Sequence, residues 1–305
     1  MNLVEFLVSW LHSSKVMAMH RSRPIRSRHV VVVVLIFLGI VYFLMPLLWV
    51  VIAATKSQPE LLSTPALWFG DGFSLFANLG QLFTEDGGAY GRWMGNTALY
   101  SGVSAVGATL LAALAGYGLA RFDFPGRRLF ETALLGMIMV PATALVLPTY
   151  LLLSTLGIIN TVWAVILPSL LSPFGTFLIR VYVAESVPAE LIDAARLDRA
   201  SELHIFFRIV LPMMRPALVT VLLFTLVATW NNYFLPLIML NSADKFPLTV
   251  GLSLWQQTAA AGSGAQAMFS TVITGALVSI LPMIAAFLFL QRYWQSGLAT
   301  GGVKA

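Results

Sequence analysis

The chain has 305 residues, 58% of them hydrophobic and only 10% charged, whereas a soluble domain is about a quarter charged. A soluble enzyme, a disordered chain and a nucleic-acid binder therefore fall far behind a membrane protein. The net charge of +5 does not by itself name a polyanionic partner, and the lack of cysteine excludes disulfides, thiolate metal sites and cysteine nucleophiles.

In chain order, residues 1–29 come first. Leu3, Phe6, Leu7, Trp10 and Leu11 fall at helical spacing. They read equally as a short helix lying on the membrane surface or as a plain extension. A secretory signal is not indicated: the apolar residues precede the basic cluster, Glu5 interrupts them, and no small-residue cleavage site follows. Met17 and Met19 are alternative start positions.

A helix needs about 20 mostly apolar residues to cross a bilayer. Six stretches qualify, at 30–54, 93–119, 129–153, 162–181, 216–240 and 268–290. The predicted organisation is an N-terminal segment 1–29, a six-helix membrane domain 30–290 and a tail 291–305, all α. The second stretch is rich in small residues, and Gly102, Gly107, Ala112 and Gly116 suit close helix packing. Connection 55–92 carries acids, glycines and aromatic rings enough for a small cap. Connection 241–267 ends in the flexible run 259–266.

Six spans put both termini on one side. The termini and even-numbered connections hold fifteen of the 18 Lys and Arg residues, and the other side has only Lys56, Arg92 and Lys245. The positive-inside rule makes the basic side cytoplasmic, so the excess charge is an orientation signal.

Within the six stretches Glu131 and Arg180 are the charged residues, each close to a cytoplasmic end. Ionisable groups at depth mark proton relays, ion sites and voltage sensors, so their scarcity argues against a proton-coupled transporter or a voltage-gated channel. Neutral polar groups remain, among them Thr143, Tyr150, Thr225, Thr229, Asn231 and Asn232. Hydroxyls commonly bond their own helix backbone, but each amide carries donors and an acceptor that need partners. Trp230, Asn231, Asn232 and Tyr233, with Thr143 and Tyr150, are the candidates for an uncharged solute's path; the alternative for Trp230 and Tyr233 is an anchor at the outer interface. No Lys follows Gly, so no phosphate-binding P-loop is present. The four His residues form no zinc-protease motif, and no metal ligand set is expected.

Connection 184–215 is long and falls on the cytoplasmic side. Pro188 followed by Glu190 reads as a helix start. Leu191, Ala194 and Ala195 fall at helical spacing, then Leu203, Phe206, Phe207 and Val210, and Pro212 is expected to stop the run. Two short helices joined near residues 197–201 are predicted, an amphipathic elbow suited to docking another protein.

The run Glu190, Asp193, Ala194, Ala195, Asp198, Arg199, Ala200, Ser201, then Phe207, Ile209, Leu211 and Pro212 resembles the EAA loop of bacterial binding-protein-dependent ABC importers. That pattern is Glu-Ala-Ala, three residues, Gly, nine residues, Ile, one residue, Leu-Pro, and the spacing from Asp193 to Pro212 matches without gaps. Asp193 stands where Glu is usual, and Arg199 where Gly is usual. Gly permits positive φ, a conformation costly for Arg, so a differently shaped turn or an adapted docking pocket is implied. Residues 96–97, 120–127, 230–237 and 247–252 also resemble sugar permeases. The tail with Gly297, Leu298, Gly301 and Lys304 resembles that of the maltose-type second permease.

The resemblance implies a type I importer permease fold and a non-catalytic membrane subunit of a sugar importer in the bacterial inner membrane. It implies a second homologous permease, two ATPase subunits that bind ATP and magnesium, and an extracellular solute-binding protein whose cleft Ala259, Ala260, Ala261, Gly262, Ser263 and Gly264 would enter. No cofactor is expected in this chain. Replacing Arg199 by Gly is expected to keep assembly. The rival readings are a permease for a polyol or glycerophosphodiester, and a secondary transporter or channel acting alone.

Overall fold

The computed structural model describes residues 25–261 and 268–301, with side chains from residue 30 to 293. Every regular element among them is helical. The chain divides into two compact units, Met1–Val51 and Ile52–Ala305.

The first unit contains most of helix α1 (Ile25–Ala54), which from Val30 on is apolar on every face and tolerates Pro46 inside. A helix hydrophobic all round belongs in lipid, where its own backbone bonds satisfy every polar group.

The second unit begins with the connection predicted as a cap. It holds α2 (Gln58–Ser63) and α3 (Leu75–Thr84). Ser57 and Glu60 form a reciprocal capping box on α2, and Lys56, almost fully buried, donates to the Pro65 carbonyl at 2.8 Å. Then follow α4 (Ala89–Arg121), α5 (Arg127–Met139), α6 (Val146–Thr155), α7 (Val162–Ser169) and α8 (Pro173–Ser186). The elbow comprises α9 (Ala189–Leu197), α10 (Glu202–Ile205), a π-helical turn (Phe206–Val210) and α11 (Leu211–Met213). The chain ends in α12 (Arg215–Trp230), α13 (Phe234–Met239), α14 (Leu248–Ala260) and α15 (Met268–Gly301).

Among the described residues four helical segments are long and apolar enough to cross a membrane, and up to six if each bent pair counts as one span. The third predicted span is not straight. It turns by 100° between α5 and the helical segment Ala142–Thr155, at Val140 and Pro141, because Pro supplies no N–H and disfavours helix in the residue before it. The fifth predicted span breaks after Trp230 and resumes as α13. The last helix runs beyond the predicted span end, to Gly301.

Helix α4 is the spine of this unit, packing on both α8 and α12, while α15 packs on α12, α14 and α3. Small residues make this possible. A Cβ at Gly116 would stand 2.7 Å from Ile179 Cγ2 and 2.9 Å from the Thr176 carbonyl, and one at Gly107 would meet Leu170. Ala112 is buried, whereas Gly102 faces open space.

Candidate functional site

The elbow is built on the end of α4 and α8. Helix α9 opens at Pro188, whose φ of −62° suits the entry, and places Glu190 in its first turn, where a carboxylate complements the helix dipole. Its buried face is Ile192 and Ala195; Leu191, Asp193 and Ala194 face outward. Ile192 and Ala195 join one core cluster with Tyr117 of α4, Val183 of α8 and Phe206 and Val210 of the π turn. Arg121, the last residue of α4, donates to the carbonyls of Val183 (2.9 Å) and Val187. It thereby fastens the spine to the elbow's entrance.

The turn between α9 and α10 is closed by backbone bonds. The Arg199 N–H donates to the Arg196 carbonyl at 2.9 Å and the Ala200 N–H to the Ala195 carbonyl at 3.0 Å, the paired bonds of a Schellman motif. Such a motif requires a left-handed residue, and Arg199 supplies it with φ of 61°. The turn thus keeps the shape a glycine would give, at a backbone cost on the order of 1 kcal/mol for the L side chain. Ser201 then caps α10, its Oγ accepting from the His204 N–H at 3.3 Å.

Charges fasten the two arms. Arg196 lies 2.7 Å from Glu202 and 3.4 Å from Asp193, and the Tyr117 hydroxyl donates to Glu202 at 3.3 Å. The bond from Arg196 holds the Glu202 carboxyl below its ordinary value; both residues lie in connection 184–215, outside the predicted spans. In the π turn and beyond, Phe207 is exposed, and Ile209 and Leu211 are half-buried against the core. Pro212 does not stop the helix at once. It occupies the first turn of α11, where its missing N–H costs nothing, and the chain instead bends by 80° into α12. The outward face shows Leu197 and Leu203, 84% and 67% exposed.

Glu131 is paired, with Arg180 of α8 at 3.0 Å and with Arg127 at 3.3 Å, and Arg127 also reaches Asp123 at 2.7 Å. This network joins α5 to the helix that carries the elbow.

The other candidates gather at the break between α12 and α13. Trp230 is buried in a cluster with Trp93 and Trp255. Asn231 turns its amide back onto the Val227 carbonyl, at 2.9 Å. Asn232 accepts from the Leu235 N–H at 3.3 Å, and its carbonyl accepts from the Thr249 hydroxyl at 2.7 Å. The Tyr233 hydroxyl accepts from Ser253 at 3.3 Å. Tyr150 packs on the cluster that holds Leu235 and Met239, whereas Thr143 is exposed on the bent third span. Thr271 and Thr274 went unnoticed in the sequence. They are fully buried, and with Ser104 their hydroxyls have no hydrogen-bond partner among the described residues. Their spacing along α15 is the one signal that marks them.

Ala259 is buried and Ala260 and Ala261 exposed at the end of α14; Gly262, Ser263 and Gly264 lie outside the described residues, as does Lys304. Gly297, Leu298 and Gly301 lie on α15 beyond the described side chains.

Residues 108–295 match the family described as "binding-protein-dependent transport system inner membrane component". The arabinooligosaccharides transport system permease protein AraQ of Halalkalibacterium halodurans is 37% identical over 85% of this chain and 90% of its own. The lactose transport system permease protein LacG of Rhizobium radiobacter is 31% identical over 85% and 90%. A solved bacterial ABC transporter involved in the import of the acidic polysaccharide alginate superposes with a TM-score of 0.77, at 23% identity, over 90% of this chain and 98% of that one; it shares the fold. The chain therefore belongs to the inner-membrane component family of binding-protein-dependent ABC importers.

Proposed function

We propose that this chain is one of two permease subunits of an ATP-driven importer for a sugar, taken across the bacterial inner membrane by alternating access. Two relatives carry arabinooligosaccharides and lactose in their names, which favours a carbohydrate over a polyol or glycerophosphodiester. ATP and magnesium bind to separate ATPase subunits, and this chain performs no chemistry of its own. An extracellular binding protein delivers the solute, with residues 259–264 reaching toward its cleft. Both termini and the elbow face the cytoplasm, as the distribution of Lys and Arg supports.

One observation carries the reading. The elbow's buried face is a single apolar cluster with α4, α8 and α12, while its outer face presents Leu197 and Leu203 to whatever docks there. A push on that face moves packed helix ends, because close-packed interiors transmit displacement instead of absorbing it. Energy supplied mechanically needs no ion site in the spans. It acts only if the driving partner binds the inward- and outward-open states with different affinity. The break at residues 231–233 is where the bundle offers aromatic rings and amides to an uncharged solute, since irregular backbone at depth survives where it lines a cavity or is buried in protein.

The test is reconstitution in proteoliposomes. Sugar uptake is expected only with the second permease, the ATPase subunits, ATP and the binding protein present together. Gradient-driven uptake by this chain alone would overturn the proposal.

A further inference from the structure

The geometry points to Arg199 as a specificity-determining cation of the elbow, its exposed guanidinium pairing with a carboxylate on the docking face of the ATPase subunit. This rests on the reading that the ATPase docks there. The residue stands at the tip of the turn between α9 and α10, at φ of 61°, where a glycine would sit without strain. Residues held in such a conformation cluster at functional sites, and an observed outlier is a sound start for a functional hypothesis.

Three observations say what the side chain does. First, it is exposed and has no hydrogen-bond or ion-pair partner among the described residues. Second, this is not for want of acids. Glu185, Glu190, Asp193, Asp198 and Glu202 lie on the same stretch. Arg196, three residues earlier, takes two of them, Asp193 and Glu202, whereas Arg199 takes none, not even its neighbour Asp198. Third, the Schellman bonds fix the backbone on both sides of Arg199, so the direction in which the side chain leaves the turn is set before any partner arrives. A cation whose side chain leaves the backbone in a set direction, next to the exposed Leu197 and Leu203 and the exposed Asp198, has the makeup of an interface contact: an apolar patch for affinity and charge for register and partner choice. A carboxylate is the group that matches it, because guanidinium presents parallel N–H donors to two oxygens. Arg at this place therefore selects an ATPase with an acid at the facing position and weakens docking to one with a basic residue there.

The test uses the complete importer in nanodiscs of neutral lipid, and the ATPase subunit purified from the same complex, with binding measured at low and at high salt. Arg199→Gly and Arg199→Asn both suit positive φ and remove the charge. Arg199→Lys keeps it, and Arg199→Glu reverses it. The expected result is a loss of affinity of roughly fivefold for Gly and Asn and a larger loss for Glu, with Lys close to the parent. These differences shrink at high salt, since exposed charges are screened. Gly and Asn variants that bind as tightly as the parent would overturn the inference and leave a purely structural residue. An effect seen only in nanodiscs containing anionic lipid would overturn it too, by making a phospholipid phosphate the partner. If the parent chain binds no ATPase at all, it is the docking reading that fails, which keeps the two outcomes apart.

Discussion

Glu60 shows how one side chain organises the cap between the first two predicted spans. Its carboxylate accepts from the Ser57 N–H (2.8 Å), the Ser57 hydroxyl (2.7 Å) and the Gly72 N–H (2.9 Å). These bonds, led by that from the Ser57 backbone, lower its pKa from 4.5 to about 2. A carboxyl depressed in the folded state contributes stability above its unfolded value and loses it as pH falls through the folded one. Order in the cap should therefore hold at pH 5 and decline between about 4.5 and 2. Hydrogen exchange at Ser57 and Gly72 reads this, and Glu60→Gln should remove the pH dependence over that interval. Glu131 is the other informative acid. Its pairs with Arg180 and Arg127 are partly exposed, so Glu131→Gln should cost no more than about 1 kcal/mol. A double-mutant cycle with Arg180→Gln should show coupling, and strictly additive losses would show that the pair is idle. At the helix break, Asn231→Ala and Asn232→Ala should lower uptake affinity or rate. If both leave transport intact, the assignment of the solute path falls.

At the scale of elements, the elbow was the most legible part of the sequence. Two helices with a turn near residues 197–201 were readable from Pro188, Glu190 and the apolar spacing, and the observed ends are Leu197 and Glu202. The turn's handedness was not. A Schellman closure depends on backbone bonds, which Arg in place of Gly conceals. Nor was the path after Phe206, because a π turn leaves the apolar spacing almost unchanged while placing Pro212 in the first turn of α11. The bend of the third span escaped for a related reason: Pro141 marks a place where helix is weakened, but not whether the chain turns there. Two changes test these elements. Ser201→Ala removes the cap on α10 and should cost about 1 kcal/mol, read as faster hydrogen exchange at His204. Gly116→Leu drives a side chain into Ile179 and the Thr176 carbonyl. It should destabilise the bundle by about 1–3 kcal/mol or more, seen as a lower melting temperature in detergent; an unchanged melting temperature would show that α4 and α8 are not closely packed.

For the whole molecule, composition and charge placement announced a membrane bundle. The helices agree with this: among the described residues four are long and apolar enough to cross, and the third predicted span is a bent pair. What composition could not supply is how the second unit is held together. The core of Ile52–Ala305 is not one apolar interior. One cluster joins α4, α8 and α12 to the elbow. Another gathers Trp93, Trp230 and Trp255. The buried hydroxyls of Thr271 and Thr274 were illegible because a threonine's period in a span is the same whether it faces lipid, protein or solute.

The central claim is that the outer face of the elbow receives the ATPase. The chain has no cysteine, so a single introduced thiol is unique. The direct measurement is cross-linking of Leu197→Cys, in the assembled importer, with a short thiol-to-amine reagent. An adduct containing this chain and an ATPase subunit is expected, and none is expected from Phe76→Cys, which is exposed on the cap. An ATPase adduct from Phe76→Cys, with none from Leu197→Cys, would contradict the account.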